Sequence, residues 1–338
     1  MKYDLLVIGD TPAAWEGALT AARMGKTAAV LVPHDQVAGR LDGWESLCTE
    51  WLDDLGFDEA QPNVRRSIQA RLADDLGDQL AAQRVALQGQ LVRYGIPRIV
   101  GDVAVTGRHE VRVHQGANGT VVCEGARILV ATGADWKVPA AWSKAGAAVI
   151  TPDRALELPT MNRHLFVIGG GAWGLWYARL LARFGARVTI VDGDSRCLAG
   201  MQAAELGPQI DVQLGADVLA VEPKDGRVEL LLETGDRLQA DGALIAIGRT
   251  GRTRTLNLIA AGIQTDEDRR IWCNGDLRTW QPHIYACGAV VGYGARRELP
   301  AAAARRAVLH AFATSQPLAT RPVPAAVRSA ARVELLCV

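Results

Sequence analysis

No two cysteines in this chain stand at CxxC or CxxxxC spacing; the six, Cys48, Cys123, Cys197, Cys273, Cys287 and Cys337, are scattered. That excludes a redox dithiol made by sequence neighbours and a zinc ribbon, and leaves small buried hydrophobes of a reducing compartment. Excess charge is missing too. The 37 Lys and Arg residues balance 37 Asp and Glu, so there is no electrostatic footprint for nucleic acid or an anionic membrane. No apolar run approaches the roughly 20 residues of a membrane span. The chain enters a strand pattern at once, without signal-peptide architecture, and a cytoplasmic location is expected. The six histidines have neither metal-ligand spacing nor a paired carboxylate, so no metal ligand and no catalytic residue is read from them.

What is present suits two globular domains: 338 residues, 49% of them apolar, with 35 glycines. Tyr3 to Ile8 reads as a buried strand, Pro12 to Met24 as a helix and Thr27 to Val32 as a second strand, with Gly25 as the stop signal between them. A long helical pattern runs from Asn63 to Tyr94. Short strands follow at Arg98–Val105, Val111–His114, Thr120–Cys123 and, separately, Ile128–Gly133. A second βαβ begins at His164–Gly169, with its helix to about Phe184 and a strand at Arg187–Val191. Strands near Val212, at Val218–Val221, Arg227–Glu233, Gly242–Gly248 and Ile284–Gly288 precede a helix from Leu299 to Phe312. Arg296, Arg297, Arg305 and Arg306 read as a solvated helix face. Two strand–turn–helix starts in one chain are an internal duplication of α/β architecture.

The two starts differ in their chemistry. Phe166-Val-Ile-Gly-Gly-Gly-Ala-Trp-Gly174 holds a GxGxxG, with Gly169, Gly171 and Gly174 framing Ala172 and Trp173. The middle glycine lets a diphosphate approach helix N–H groups, and an acid about 20 residues on accepts from ribose hydroxyls. Asp192 stands 23 residues after Gly169 and supplies that acid. A carboxylate there favours NAD(H) over NADP(H); Arg196, four residues later, is placed to soften that preference but reads first as a solvated surface arginine. The first start keeps Gly9 but has Asp10 and Thr11, with Ala14 at the third position and Val32 where the acid belongs. Asp10 and Thr11 both read as N-caps before Pro12, competing with a phosphate for the same N–H groups.

The quoted turns, with Ala131-Thr-Gly-Ala-Asp-Trp-Lys-Val-Pro139, Ile247-Gly-Arg-Thr-Gly251 and Gln281-Pro-His-Ile-Tyr-Ala-Cys-Gly288, resemble the flavoprotein pyridine nucleotide–disulfide oxidoreductases. Within them the chain is most similar to the soluble pyridine nucleotide transhydrogenases. The resemblance implies an α/β fold of two Rossmann-like FAD/NAD(P)-binding domains, the second inserted in the first. Residues 1–145 and 276–318 would form the FAD-type domain, 146–275 the inserted NAD(P)-type domain and 319–338 a tail. The family's C-terminal dimerisation domain would be missing. The resemblance also adds Gly248 to the nucleotide contacts. Where the family places an Asp for its flavin, the chain has Ala289. The redox-loop cysteine aligns with Leu41, the flavin-facing lysine with Glu50, and a nicotinamide-end glutamate with Trp176. Trp173 and Trp176, with Trp44, are expected to fill space that isoalloxazine and nicotinamide take in the flavoenzymes.

These residues lead to an expected binder of NAD(H), with NADP(H) second and FAD held poorly or not at all through its degraded positions Gly9, Asp10, Thr11, Ala14, Val32 and Ala289. Such a chain would be a weakly active or inactive relative, a pseudoenzyme serving as a nucleotide-binding or partner subunit, with a full-length relative as one candidate partner. Two alternatives stay open: an active FAD-dependent NAD(P)H oxidoreductase or transhydrogenase, and a structural subunit without nucleotide.

Overall fold

The computed structural model describes residues 1–34, 62–142, 148–157, 163–198, 206–292 and 299–313. In chain order these hold β1 (Lys2–Ile8), α1 (Pro12–Arg23), β2 (Ala28–Pro33), α2 (Pro62–Arg93), β3 (Arg98–Val105), β4 (Glu110–His114), β5 (Thr120–Val130), β6 (Ala134–Trp136) and β7 (Val149–Ile150). Then come β8 (His164–Ile168), α3 (Ala172–Arg183), β9 (Arg187–Asp192), β10 (Ile210–Leu214), β11 (Val218–Lys224), β12 (Arg227–Leu232), β13 (Arg237–Ala240) and β14 (Gly242–Ile245). The series closes with β15 (Arg249–Gly251), β16 (Ile284–Ala286) and α4 (Pro300–Ala311). The described residues divide into two compact units, one drawn from Met1–Asp42, Asp78–Asp135 and Arg249–Glu334, the other chiefly from Trp136–Gly248.

In the first unit a parallel sheet runs β3-β2-β1-β5-β16, and β4 pairs antiparallel with the outer halves of β3 and β5. Successive β1 side chains go to opposite faces, as a pleated strand requires. Leu5 and Val7 join the core under α1 and α4, while Leu6 and Ile8 join the core that includes Leu256, Ile263 and Ile271. Both faces being covered, the strand reads as an unbroken apolar run. Small residues allow the helices to approach closely: Ala14, Ala18 and Ala21 of α1 share a core with Ala303, Ala304 and Ala307 of α4. The strand expected to stop at Cys123 instead continues to Val130 as one strand. A Cβ at Gly125 would meet Leu6, so glycine lets β5 pass close to β1 without a break. The segment after Arg249 packs in this unit, earlier than the return at residue 276 that the resemblance implied, because Leu256, Leu258 and Ile271 belong to its core.

The second unit repeats the plan with an all-parallel sheet, β10-β9-β8-β14-β7, and an antiparallel meander β11-β12-β13. Even the helix ends correspond. After α1, Gly25 takes φ 74° and the Lys26 N–H reaches Ala21 O; after α3, Gly185 takes φ 91° and the Ala186 N–H reaches Leu181 O. Both are left-handed stops that satisfy last-turn carbonyls.

The meander is tied by Glu229, a buried carboxylate that accepts from Lys224 Nζ at 2.7 Å, Arg237 Nη1 at 2.6 Å and Gln239 Nε2 at 3.0 Å. Lys224 first, then Gln239 and Arg237, hold its pKa down from 4.5 to about 2. A depressed carboxylate contributes stability that is complete above its unfolded value and lost as pH falls through the folded one. Urea unfolding should therefore separate wild type from Glu229→Gln near neutral pH, with the gap closing between pH 4.5 and about 2. An equal gap at both ends would deny the linkage.

Candidate functional site

The hydrogen bonds at the two turns put them in one register. Gly9 N donates to Leu31 O at 2.9 Å, and Gly169 N donates to Val191 O at 2.8 Å. Gly9 therefore corresponds to Gly169, Thr11 to Gly171, Ala14 to Gly174 and Val32 to Asp192. At both leading glycines φ is positive, 133° and 105°, and a Cβ would strike the backbone carbonyl of Ala131 or of Ala246. Only glycine fits such a position.

In the second unit the start of α3 is bare. Gly171 is the N-cap, with no side-chain hydrogen bond to the helix, and a Cβ added to it would touch nothing within 4 Å. Gly171 and Ala172 are exposed. Gly174 serves packing instead, since a Cβ there would collide with Gly169 O and its absence lets helix lie on strand. Asp192 is half-buried at the end of β9, its Oδ2 accepting from Gly170 N at 2.6 Å and its Oδ1 from Asp194 N at 2.8 Å. A carboxylate has about four lone-pair sites, so two remain for hydroxyl donors. Gly248, with φ 118°, ends the neighbouring β14 side and lies against Lys137. Arg196 is highly exposed, as a solvated surface arginine, and its Nε bonds Asp194 at 3.2 Å.

In the first unit the same space is filled by side chains. Thr11 Oγ1 accepts from Ala14 N at 3.2 Å and donates to Ala131 O at 2.8 Å, so it caps α1. Asp10 does not cap, contrary to the sequence reading. It is 3% exposed, accepts from Arg98 Nη2 at 2.9 and 3.0 Å, and accepts from Trp15 Nε1 at 2.9 Å. Its partner arginine comes from the start of β3, and a local reading had no way to foresee it. Val32 is fully buried in the core. Ala14 is accommodated without exposure. Gly288 packs near Ala13 of α1, which brings the neighbouring Ala289, half-buried, to the same end of the sheet. Thr132, next to the leading glycine, keeps a buried hydroxyl without a hydrogen-bond partner.

Beside the second turn lies an aromatic cluster. Trp136 meets Trp173 edge-on at 6.0 Å and Tyr177 at 6.3 Å; Trp176 meets Tyr177 at 4.8 Å and Trp173 at 6.4 Å. Trp173 and Trp176 were singled out from sequence. Trp136 and Tyr177 were not, although Trp136 stands inside a quoted motif. Leu41, Trp44, Glu50 and the tail 319–338, with Arg296 and Arg297, lie outside the described residues. Arg305 is not simply solvated, since its Nη2 reaches Glu16 Oε1 at 2.9 Å. Among the described residues no cluster of His, Cys, Asp or Glu could hold a metal ion, and no helix is long and apolar enough to cross a membrane.

A family model described as pyridine nucleotide-disulphide oxidoreductase matches residues 3–311. The chain is 26% identical over 331 residues to a soluble pyridine nucleotide transhydrogenase of Mycobacterium bovis, covering 92% of this chain and 71% of that one. The corresponding protein of Pectobacterium atrosepticum is 26% identical over 310 residues, covering 86% and 66%. Among solved structures, the Cu(II) complex of the HOCl-induced flavoprotein disulfide reductase RclA from Escherichia coli aligns with TM-score 0.75 at 25% identity, covering 93% of this chain and 72% of that one. LpdA from Mycobacterium tuberculosis aligns with TM-score 0.73 at 25% identity, covering 93% and 74%.

Proposed function

The chain belongs to the pyridine nucleotide-disulphide oxidoreductase family, and from that premise we propose that it binds NAD(H) through its second unit while holding FAD weakly or not at all. The family is one of FAD- and NAD(P)-dependent oxidoreductases, and the match carries both cofactors with it. Against flavin stand the residues of the first turn, with Val32 and Ala289. What supports the proposal is the contrast between a bare Gly171 at the start of α3 and the Thr11 cap with buried Asp10 at the start of α1.

A diphosphate draws its affinity from free N–H groups and from the positive end of the helix. At α3 no side chain caps the helix, Gly171 and Ala172 are exposed, and Asp192 offers acceptors to ribose hydroxyls. At α1 one N–H is already taken, a carboxylate stands in the turn and Val32 offers no acceptor. In this family the flavin relays hydride between the nicotinamide and a second acceptor. The residues of the first turn do not fit that group. The resulting function is a nucleotide-binding or partner subunit of low or no activity, placed in the cytoplasm. Asp192 repels a 2′-phosphate, so NADPH binds less well than NADH.

Thermal unfolding with each cofactor tests this. A ligand at a hundredfold excess over its Kd stabilises by about 2.7 kcal/mol. NADH should raise the midpoint clearly, NADPH less, and FAD not at all. Stabilisation by FAD and none by NADH would reverse the assignment. The second reading, an FAD-dependent NAD(P)H oxidoreductase, is favoured by the family match and by the unpartnered Thr132 hydroxyl beside Gly9. A yellow protein that bleaches on adding NADH would establish it.

A further inference from the structure

In a doubly wound sheet a dinucleotide lies across the helix N-terminus, one half toward the end of the second strand and the other over the crevice beside the first. In the second unit those ends are Asp192 on β9 and Gly248 after β14. The two sides differ. Toward Asp192 the turn residues Gly171 and Ala172 are exposed. Toward Gly248, the segment carrying Trp136 and Lys137 is fastened down: Lys137 N donates to Gly248 O at 2.9 Å, and a Cβ on Gly248 would stand 3.7 Å from the Lys137 side chain. Trp136 then reaches Trp173 in the first turn of α3 and Tyr177 one turn on, both edge-on. Trp176 closes the group against Tyr177, which is fully buried. Trp136, next to the Lys137 fastened at Gly248, and Trp173 at the start of α3 thus bring large rings to the β14 side of the turn, where a nicotinamide would have to compete with them.

We propose that the second unit is a half-site, reading the ADP moiety of a dinucleotide and making no use of its nicotinamide ring. This rests on the reading that the unit binds dinucleotides, and it goes further by naming the ligand class. NAD+, NADH and ADP-ribose share the same contacts with Asp192 and the start of α3. The site is therefore blind to the redox state of the nicotinamide.

Isothermal titration with NADH, NAD+, ADP-ribose and nicotinamide mononucleotide tests it on the full chain. The expected result is that the first three bind within about threefold of one another, and that the mononucleotide does not compete in large excess. Trp136→Ala with Trp173→Ala should open the β14 side and favour NADH over ADP-ribose by about fivefold or more. Trp173→Ala alone, at a ring already 38% exposed, gives the same direction if the pair fails to fold. NADH binding more than about tenfold tighter than ADP-ribose in the unmodified chain would overturn the half-site while leaving dinucleotide binding intact. Binding of none of the three would overturn the dinucleotide reading itself, and the half-site with it.

Discussion

Gly171→Thr is expected to lower NADH affinity by about 10–10²-fold while leaving the stability of the free protein within a few tenths of a kcal/mol of wild type. The substitution transplants the chemistry of Thr11 to the matching position. Gly171 has φ −65° and ψ −179°, a conformation any residue adopts, and its missing Cβ has no neighbour within 4 Å. Nothing in the fold resists the new side chain. The introduced hydroxyl then takes a helix N–H that a diphosphate needs, as Thr11 takes that of Ala14. Losing one charge-assisted hydrogen bond at about 1.5–3 kcal/mol gives the stated range. Titration measures the affinity, and the midpoint of the ligand-free protein measures folding. Unchanged affinity would mean that nucleotides do not bind at this turn.

Asp10→Ala is expected to destabilise the protein by about 2–4 kcal/mol, a large effect for a position where the second unit has only Gly170. The carboxylate is 3% exposed and satisfies Arg98 and the buried Trp15 together. Removing it strands a guanidinium and an indole N–H. Because Arg98 is 29% exposed, water takes up part of the loss, which places the figure below that of a fully buried pair. Urea unfolding of Asp10→Ala, Arg98→Met and the double variant yields the coupling directly. A cost below about 0.5 kcal/mol would show that Asp10 can step aside. The number bears on function, because a diphosphate entering this turn must displace or face that same carboxylate.

Local chemistry was legible in the sequence. Thr11 before Pro12 announced its cap, and Gly169, Gly171 and Gly174 announced a turn that no side chain caps, with the Asp192 carboxylate at the end of the next strand. The strand–turn–helix starts also gave the α/β plan, because glycine and proline punctuation is a property of adjacent residues. What escaped depended on residues far apart in the chain. Asp10 looked like a cap until Arg98, 88 residues on, came back to it. Trp136 meets Trp173 from far along the chain, next to a Lys137 whose N–H bonds Gly248 O. The continuity of β5 was missed across Gly125, where the glycine serves a close approach to Leu6.

Incubating the purified chain with excess FAD, desalting it and recording the visible flavin band puts the asymmetry between the two turns to its most direct trial. A colourless protein that still binds NADH is the predicted result. Flavin retained in a one-to-one ratio would contradict it.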